Sequence, residues 1–362
     1  MSGVCFKKCS ITSCAYIDYF HSVVDIFKSG IWEQFADVSH PDLQLLAQAV
    51  PDIAIRSRQD GTVKGYLAGF KRWKAWANKY TEIKTLPADA KYVSLYLTSV
   101  FQSSKTHAPV TNAYYSISWA HKVACLPDPT THDIVKRIKE SAARVLGTGD
   151  NAKCPISSDC IVALTKKYSH VNANLKDLRI VCICLLAFSG FLRYDEFSNV
   201  LVSDVAIFDT HMTVFVEKSK TDIYRDGVKV YISKTNTLSC PVYCMQRYIS
   251  AAGFDSDSQE FLFRGLTYHR KRKVYTLRKQ NKGMSYTCTR EVVLSAFASI
   301  GLSVVNFGTH SLRKGGATAA SCHSVNDRLI KKHGRWSSEK SKDLYISEGL
   351  NEKLCVTKNL GI

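Results

Sequence analysis

Four short stretches of this chain hold residue types that can bind an anion and move its protons. In "SGFLRYDEF", Arg193 follows an apolar segment and Glu196 comes three positions later. "EKSKTD" carries Lys218 and Lys220. "GTHSLRKGGATAA" sets His310 and Arg313 one helical turn apart, so on one face, and its Gly315 and Gly316 let another backbone come close. "HGRWSSEKSKDLYI" holds Trp336 and, nine residues later, Tyr345. A guanidinium fork matches phosphate oxygens, and imidazole takes or gives a proton near neutral pH. Each stretch alone has a plain structural explanation. HxxR pairs arise by chance, an arginine after a helix caps it, and hairpin lysines are solvated. Tryptophan fills cores, and a single tyrosine sits half-buried on an amphipathic helix.

The composition favours a polyanion as partner. Lys plus Arg is 49 against 31 Asp plus Glu, a net charge of +18 over 362 residues. A chain this basic most often meets DNA or RNA, and less often an anionic membrane surface. The length suggests two domains of ordinary size, and a hydrophobic content of 45% lets each bury a core. The N-terminus lacks the apolar core of a signal peptide, and the longest apolar run, 180–188, is far short of a membrane span. The thirteen cysteines are therefore expected to be reduced thiols. Cys5, Cys9 and Cys14, and the pair Cys240 and Cys244, are too loosely spaced to predict a zinc site, and there is no CxxC.

The elements that must position these residues fall into two groups. Residues 1–44 have weak periodicity and read as a loosely attached extension. Val63, Tyr66, Leu67, Phe70, Trp73 and Ala77 follow helical spacing, with Lys64, Lys71, Arg72, Lys74 and Lys79 elsewhere on the same helix. Three more helices follow, the last capped by Thr130 or Thr131. Residues 45–147 thus form an all-helical domain with a basic surface. "GTGDNAKCP" has the Gly, Asp, Asn and Pro of a linker, placed at 148–156. In the second domain, 157–362, a buried helix ends at Gly190, and three short strands follow around 205–233. Met212, Val214 and Val216 alternate with Thr213, Phe215 and Glu217 as a strand requires. The remainder is helical. The basic segment 263–283 reads as a solvated or phosphate-contacting excursion.

Taken together, in this order and spacing, the four stretches resemble the tyrosine recombinases, the phage-integrase and Cre/Xer-like family, over roughly residues 45–350. The resemblance implies a mainly α fold: an N-terminal all-helical, SAM-like core-binding domain that clamps DNA, plus an α+β catalytic domain with a small antiparallel sheet. It makes Arg193 the first catalytic arginine and Glu196 the acidic residue that buttresses the site. Lys220 is the hairpin lysine, with Lys218 in reserve. His310 and Arg313 are the HxxR pair, Trp336 fills the His-or-Trp position, and Tyr345 is the nucleophile, delivered by its helix. Lys64, Lys71, Arg72 and Lys74 are the DNA-contact candidates. "SKTD", "HSLRKGGAT" and "GRWSSEKSKDLYI" look most like recombinases of eukaryotic mobile elements of the Crypton, DIRS and Ngaro kind, which implies a nuclear location. Arg335 departs from the pattern, since most bacterial members have glycine directly before the His or Trp.

This set suits transfer at a phosphodiester. In-line attack builds charge on the equatorial oxygens, which fixed guanidinium groups stabilise. An unassisted tyrosine costs about 4 kcal/mol to ionise at pH 7, and neighbouring cations lower that. His310 can donate to the phosphate or accept the phenol proton, and Trp336 can donate its indole N–H. A 3′-phosphotyrosine keeps the bond energy, so no ATP is expected. Two arginines stand where a metal would, so no cofactor is expected. The sequence carries no P-loop, acidic metal cluster or HExxH. The implied partner is double-stranded DNA, bound by a tetramer on two sites that is monomeric when free, with no membrane association. The alternatives are a nicking-closing enzyme like a type IB topoisomerase and a recombinase-derived DNA-binding protein that no longer cuts.

Overall fold

The computed structural model describes residues 26–147, 153–217 and 227–360. The chain forms two compact units, 1–151 and 152–362. Among the described residues it is mainly helical with two small antiparallel sheets.

The longer helices of the first unit, among the described residues, are α1 Pro41–Ile55, α2 Asp60–Ala77, α3 Ala90–Ser103, α4 Ala108–Val123 and α5 Asp133–Val145. In α2, Val63, Leu67, Phe70, Trp73 and Ala77 recur at helical spacing and are all buried. Lys64, Lys71 and Arg72 are exposed on the rest of that helix and Lys74 is half-buried. Arg72 Nη2 donates to Asn112 Oδ1 of α4 at 2.7 Å. The expected cap of α5 is corrected. His132 occupies that position and its Nδ1 accepts from the Ile134 N–H, while Thr130 is buried in a 3₁₀ turn held by Asp128. Of the expected extension, residues 1–25 lie outside the described residues, and the part from Ile26 is packed on the helices. Ile26 is fully buried, Trp32 Nε1 donates to Val123 O at 2.9 Å, and the Ile31 N–H donates to Ala124 O at 3.1 Å. Helix α1 escaped the periodicity because Leu43, Leu45, Leu46 and Ile53 are all more than half exposed.

The second unit is organised around one helix. Helices α6 Ser158–Tyr168 and α7 Leu175–Ser189 come first. Asn174 caps α7 through the Asp177 N–H, and Leu178 to Ala187 are buried without a break. A helix apolar on every side has to be central, and α7 is packed by α6, by α9 (Pro241–Ala252), by α10 (Tyr286–Ala298) and by α11 (Thr309–Cys322). Between α7 and α9 lie the short α8, Tyr194–Phe197, and strands β1 Val205–Ile207, β2 His211–Val216 and β3 Val228–Ser233. The strands pair antiparallel in the order β1-β2-β3, with Met212 opposite Ile232 and Val214 opposite Val230. Met212, Val214 and Val216 are buried as the alternation predicts. The tip joining β2 to β3, with Lys218 and Lys220, lies outside the described residues.

The basic segment after α9 forms a hairpin with a solvent-exposed tip. Leu266–His269 pairs with Val274–Leu277, leaving Arg270, Lys271, Arg272 and Lys273 at its tip. Cys240 and Cys244 are core residues at the start of α9, where Cys240 Sγ accepts from the Tyr243 N–H. No described helix is long and apolar enough to cross a membrane.

The two glycines of α11 set how closely it meets its neighbours. A Cβ on Gly315 would sit 2.2 Å from Ile156 O, and one on Gly316 would sit 2.1 Å from Phe188 O. Both obstacles are backbone, so they cannot swing away. Gly316→Ala is therefore expected to lower stability by about 1–3 kcal/mol or more, the usual effect of overpacking. Urea unfolding measures it, and an unchanged midpoint would mean the helices are not held at this distance.

Candidate active site

Three segments converge on one buried carboxylate. The first is the turn from α7 into α8, where Phe191 takes a left-handed conformation at φ 46°. Arg193 then stands at the N-cap of α8 and Glu196 in its first turn. The second is α11, which carries His310 and Arg313. The third is the turn between α12 (Asp327–Gly334) and α13 (Glu339–Asp343), which carries Arg335 and Trp336.

Glu196 is 3% exposed and takes four donors. Its Oε1 accepts from Arg193 Nη1 at 2.7 Å. Its Oε2 accepts from the Arg193 N–H at 2.9 Å and from Arg335 Nη2 at 2.8 Å, with Arg313 Nη1 further off at 3.5 Å. Burial by itself would raise the Glu196 carboxyl. The Arg335 charge, the Arg193 N–H and then the Arg313 and Arg193 charges outweigh it and hold the group below the ordinary carboxylate range.

The guanidinium of Arg313 is wholly buried. It donates to Phe191 O through Nη1 and to Gly334 O through Nη2. Burial first, then the charge of Arg193, push it down to about 9, so it stays charged at neutral pH. Its guanidinium carbon lies 4.6 Å from the Trp336 ring centroid and 5.0 Å from that of Tyr345. Trp336 is 5% exposed and its ring centroid is 5.2 Å from that of Tyr345. His310 is exposed, with its ring 6.4 Å from Tyr345. Two buried donors, Arg313 Nε and Trp336 Nε1, have no acceptor among the described residues.

Arg193, Glu196, Arg313, Trp336, Tyr345 and His310 are thus gathered in one place. Lys220 and Lys218 lie outside the described residues. Lys64, Lys71, Arg72 and Lys74 belong to the other unit. One expectation is corrected: the tyrosine is not carried on its helix. Helix α13 stops at Asp343, and Tyr345 follows in a turn closed by its N–H donating to Lys342 O at 2.8 Å. A run of "SSEKSKDLYI" reads as one charged helix, but only five of its residues are helical.

Four supporting residues escaped sequence reasoning. Arg335 was seen only as a departure from a pattern. His333 Nε2 donates to Ser189 O at 2.8 Å, with burial keeping its ring toward the neutral form. Lys342 is buried between Asp327 at 2.6 Å and Glu339 at 3.1 Å, which pins α13 to the start of α12. Thr318 Oγ1 accepts from the Ser347 N–H at 3.1 Å and donates to Tyr345 O at 3.4 Å, which anchors the turn on α11.

No family model matches the chain. A curated integrase/recombinase of Selenomonas ruminantium, a xerD homolog, is 24% identical over 298 residues, covering 81% of this chain and 83% of the relative. The XerH site-specific recombinase, solved in a post-cleavage complex with a palindromic difH substrate, superimposes with a TM-score of 0.57 at 12% identity, over 82% of this chain and 79% of that one. A lambda integrase dimer bound to a COC′ core site gives a TM-score of 0.54 at 15% identity, over 83% and 94%. The fold is that of the tyrosine recombinases. In sequence and in fold the chain is similar to tyrosine recombinases and integrases. Within this recombinase fold the cation cluster depends on Glu196, and its removal has a defined signature.

Glu196→Gln leaves three buried guanidiniums without their counter-charge, and breaking such a pairing costs about 3–5 kcal/mol. The pH dependence follows from the sign of the shift. A carboxylate held below its unfolded value of about 4.3 stabilises the fold above that pH. The contribution disappears as the pH falls through the lowered value. Denaturant unfolding from pH 7 to 3 should show this acid-side loss in wild type and a smaller one in Glu196→Gln. Equal stability of the two proteins at pH 7 would show that the carboxylate does not hold the cluster.

Proposed function

We propose that the chain is a site-specific DNA recombinase that cuts and rejoins DNA through a covalent 3′-phosphotyrosine at Tyr345. The observation that carries this reading is the pair of buried donors, Arg313 Nε and Trp336 Nε1, beside Tyr345 in a cluster with excess positive charge. Buried N–H groups are seldom left without acceptors, and a phosphate oxygen supplies one at each. One carboxylate against three guanidiniums leaves two positive charges over. That matches a phosphodiester and a tyrosine becoming its ester.

In the proposed step the Tyr345 oxygen attacks phosphorus in line and the bond to the 5′-oxygen breaks. The phenol proton passes to His310, and the leaving 5′-oxygen takes a proton from Lys220, or Lys218 in its place. Arg193 and Arg313 stabilise the charge on the non-bridging oxygens. Attack by a free 5′-hydroxyl on the phosphotyrosine runs the same chemistry backward and seals the strand, so bond energy is conserved. Lys64, Lys71, Arg72 and Lys74 contact the DNA backbone. The motif resemblance to Crypton, DIRS and Ngaro recombinases supports a mobile-element origin and a nuclear location.

Tyr345→Phe is expected to bind DNA as wild type does and to form no covalent adduct with a nicked suicide substrate. A protease-sensitive adduct that persists in this variant would remove Tyr345 as nucleophile. A wild-type protein that binds DNA and never forms an adduct would favour a non-cutting DNA-binding protein.

Lambda integrase has been solved as a tetramer on a Holliday junction, with a TM-score of 0.54 at 15% identity. We extend that assembly to this chain, as a tetramer on two DNA sites that is monomeric when free. After Tyr345 the chain runs into a short helix, α14 Leu350–Lys358, where Leu354 is 38% exposed; Leu360, just beyond it, is 59% exposed. This tail docks on a neighbouring protomer. Ending the chain after Glu348 should leave single-site binding intact and reduce paired-site complexes in gel shift and sedimentation. Full synaptic complexes from the shortened protein would overturn the tail exchange alone.

A further inference from the structure

We propose that Arg335 is a positioning residue for the reaction: it holds Glu196, and through it Arg193 and Arg313, in register with the turn that carries Trp336. The proposal rests on the recombinase reading above and extends it to a residue outside the recognised motif positions.

The backbone gives the first reason. Helix α12 ends in a Schellman arrangement, with the Arg335 N–H donating to Lys332 O at 3.1 Å and the Trp336 N–H donating to Lys331 O at 3.1 Å. Such an ending needs a left-handed residue after the helix, and Arg335 supplies it at φ 57°, ψ 39°. Glycine and asparagine hold this conformation at the least steric cost. An arginine there is strained in its backbone, and its side chain shows what offsets the strain.

That side chain is 5% exposed and extends into the cluster. Nη1 donates to Gly190 O at 3.2 Å and His333 O at 2.8 Å. Nη2 donates to Phe191 O at 2.8 Å and Glu196 Oε2 at 2.8 Å. One planar group therefore ties the turn before α8, the end of α12 and the buried carboxylate together. Both terminal nitrogens donate to protein oxygens, so they are placed to order the site.

The distances to Glu196 Oε2 assign the division of labour. Arg335 is at 2.8 Å and Arg313 at 3.5 Å. Arg335 takes the close pairing and leaves Arg313 a looser one. Without Arg335, Glu196 Oε2 would turn to Arg313, and a tight pair there would neutralise the cation that faces Tyr345 and Trp336. The carboxylate would also lose its largest stabilising charge.

The test uses Arg335→Gly, which suits the left-handed backbone, and Arg335→Lys, which keeps the charge without the fork. Arg335→Gly should stay folded and bind DNA as wild type does, while single-turnover cleavage of a suicide substrate falls at least ~10-fold, the scale of a lost charge-assisted hydrogen bond. Its cleavage-versus-pH profile should lose activity at higher pH on the acid side than wild type, and Arg335→Lys should recover part of the rate. In a Glu196→Gln background the same glycine substitution should add little, because it acts through that carboxylate. Additive losses in the double variant, or a wild-type rate and profile in Arg335→Gly, would overturn the proposal. A second readout does not depend on DNA. The acid-side unfolding limb should shift to higher pH in Arg335→Gly, and an unshifted limb also overturns the link. Absence of any adduct from wild-type protein would instead defeat the recombinase reading, with the unfolding limb still deciding the Arg335–Glu196 link.

Discussion

The site hangs on a single buried carboxylate. Glu196 meets Arg193, Arg335 and Arg313 within a space almost closed to water. Three guanidiniums brought together repel, and each loses hydration on burial. Glu196 answers only part of that charge. The rest is met by backbone carbonyls at Gly190, Phe191, His333 and Gly334, whose dipoles point at the guanidinium nitrogens. Carbonyls hold cations in place without cancelling their charge. The cluster is thereby rigid and still positive, which is the state that preorganised electrostatic stabilisation of an anionic transition state requires.

This arrangement explains constraints that lie away from the site. Arg313 can reach Phe191 O and Gly334 O together only if α11 lies close to the end of α7. Gly315 and Gly316 permit that approach, with Ile156 O and Phe188 O where their side chains would be. The left-handed Phe191 turns its carbonyl toward Arg313 and Arg335 and sends its ring against His333 at 4.7 Å. Thus the glycines of α11, the twist at Phe191 and the cap of α12 serve one requirement, which is to converge guanidiniums on a carboxylate.

What the sequence revealed depends on how local each feature is. The HxxR pair, the spacing of Arg193 to Glu196, the alternation in β2 and the spacing in α2 are set within a few residues, so pattern alone exposes them. Other features stayed hidden, some because a distant partner sets them and some because a local competitor overrides the pattern. Arg335 looked like a flaw because its left-handed position calls for glycine, and only Glu196, 139 residues away in sequence, accounts for it. The cap of α5 fell to His132 because Asp128 drew Thr130 into a 3₁₀ turn. The hairpin from Leu266 to Leu277 was masked by its four-residue basic tip, since charge hid the strand alternation on either side. Helix α1 keeps its leucines exposed, so its burial pattern carries no period.

The placement of Tyr345 contrasts with that of the cations. The arginine side chains are 14% exposed or less and are locked by several partners. Tyr345 is half-buried, sits in a turn beyond a five-residue helix, and is held through its backbone by Lys342 and Thr318. Charge stabilisation gains from rigidity, because donors already in place need no reorganisation when charge develops. A nucleophile that becomes bonded to its substrate has the opposite need. It must reach in, stay attached while strands change partners, and come away when the bond is resealed. If Tyr345 is the nucleophile, as proposed above, its place on a short turn, with the lysine-anchored helix behind it and the tail helix after it, suits that need. In the proposed reaction the most tightly held groups thus stand where the phosphate charge develops, and the nucleophile on a turn beside them.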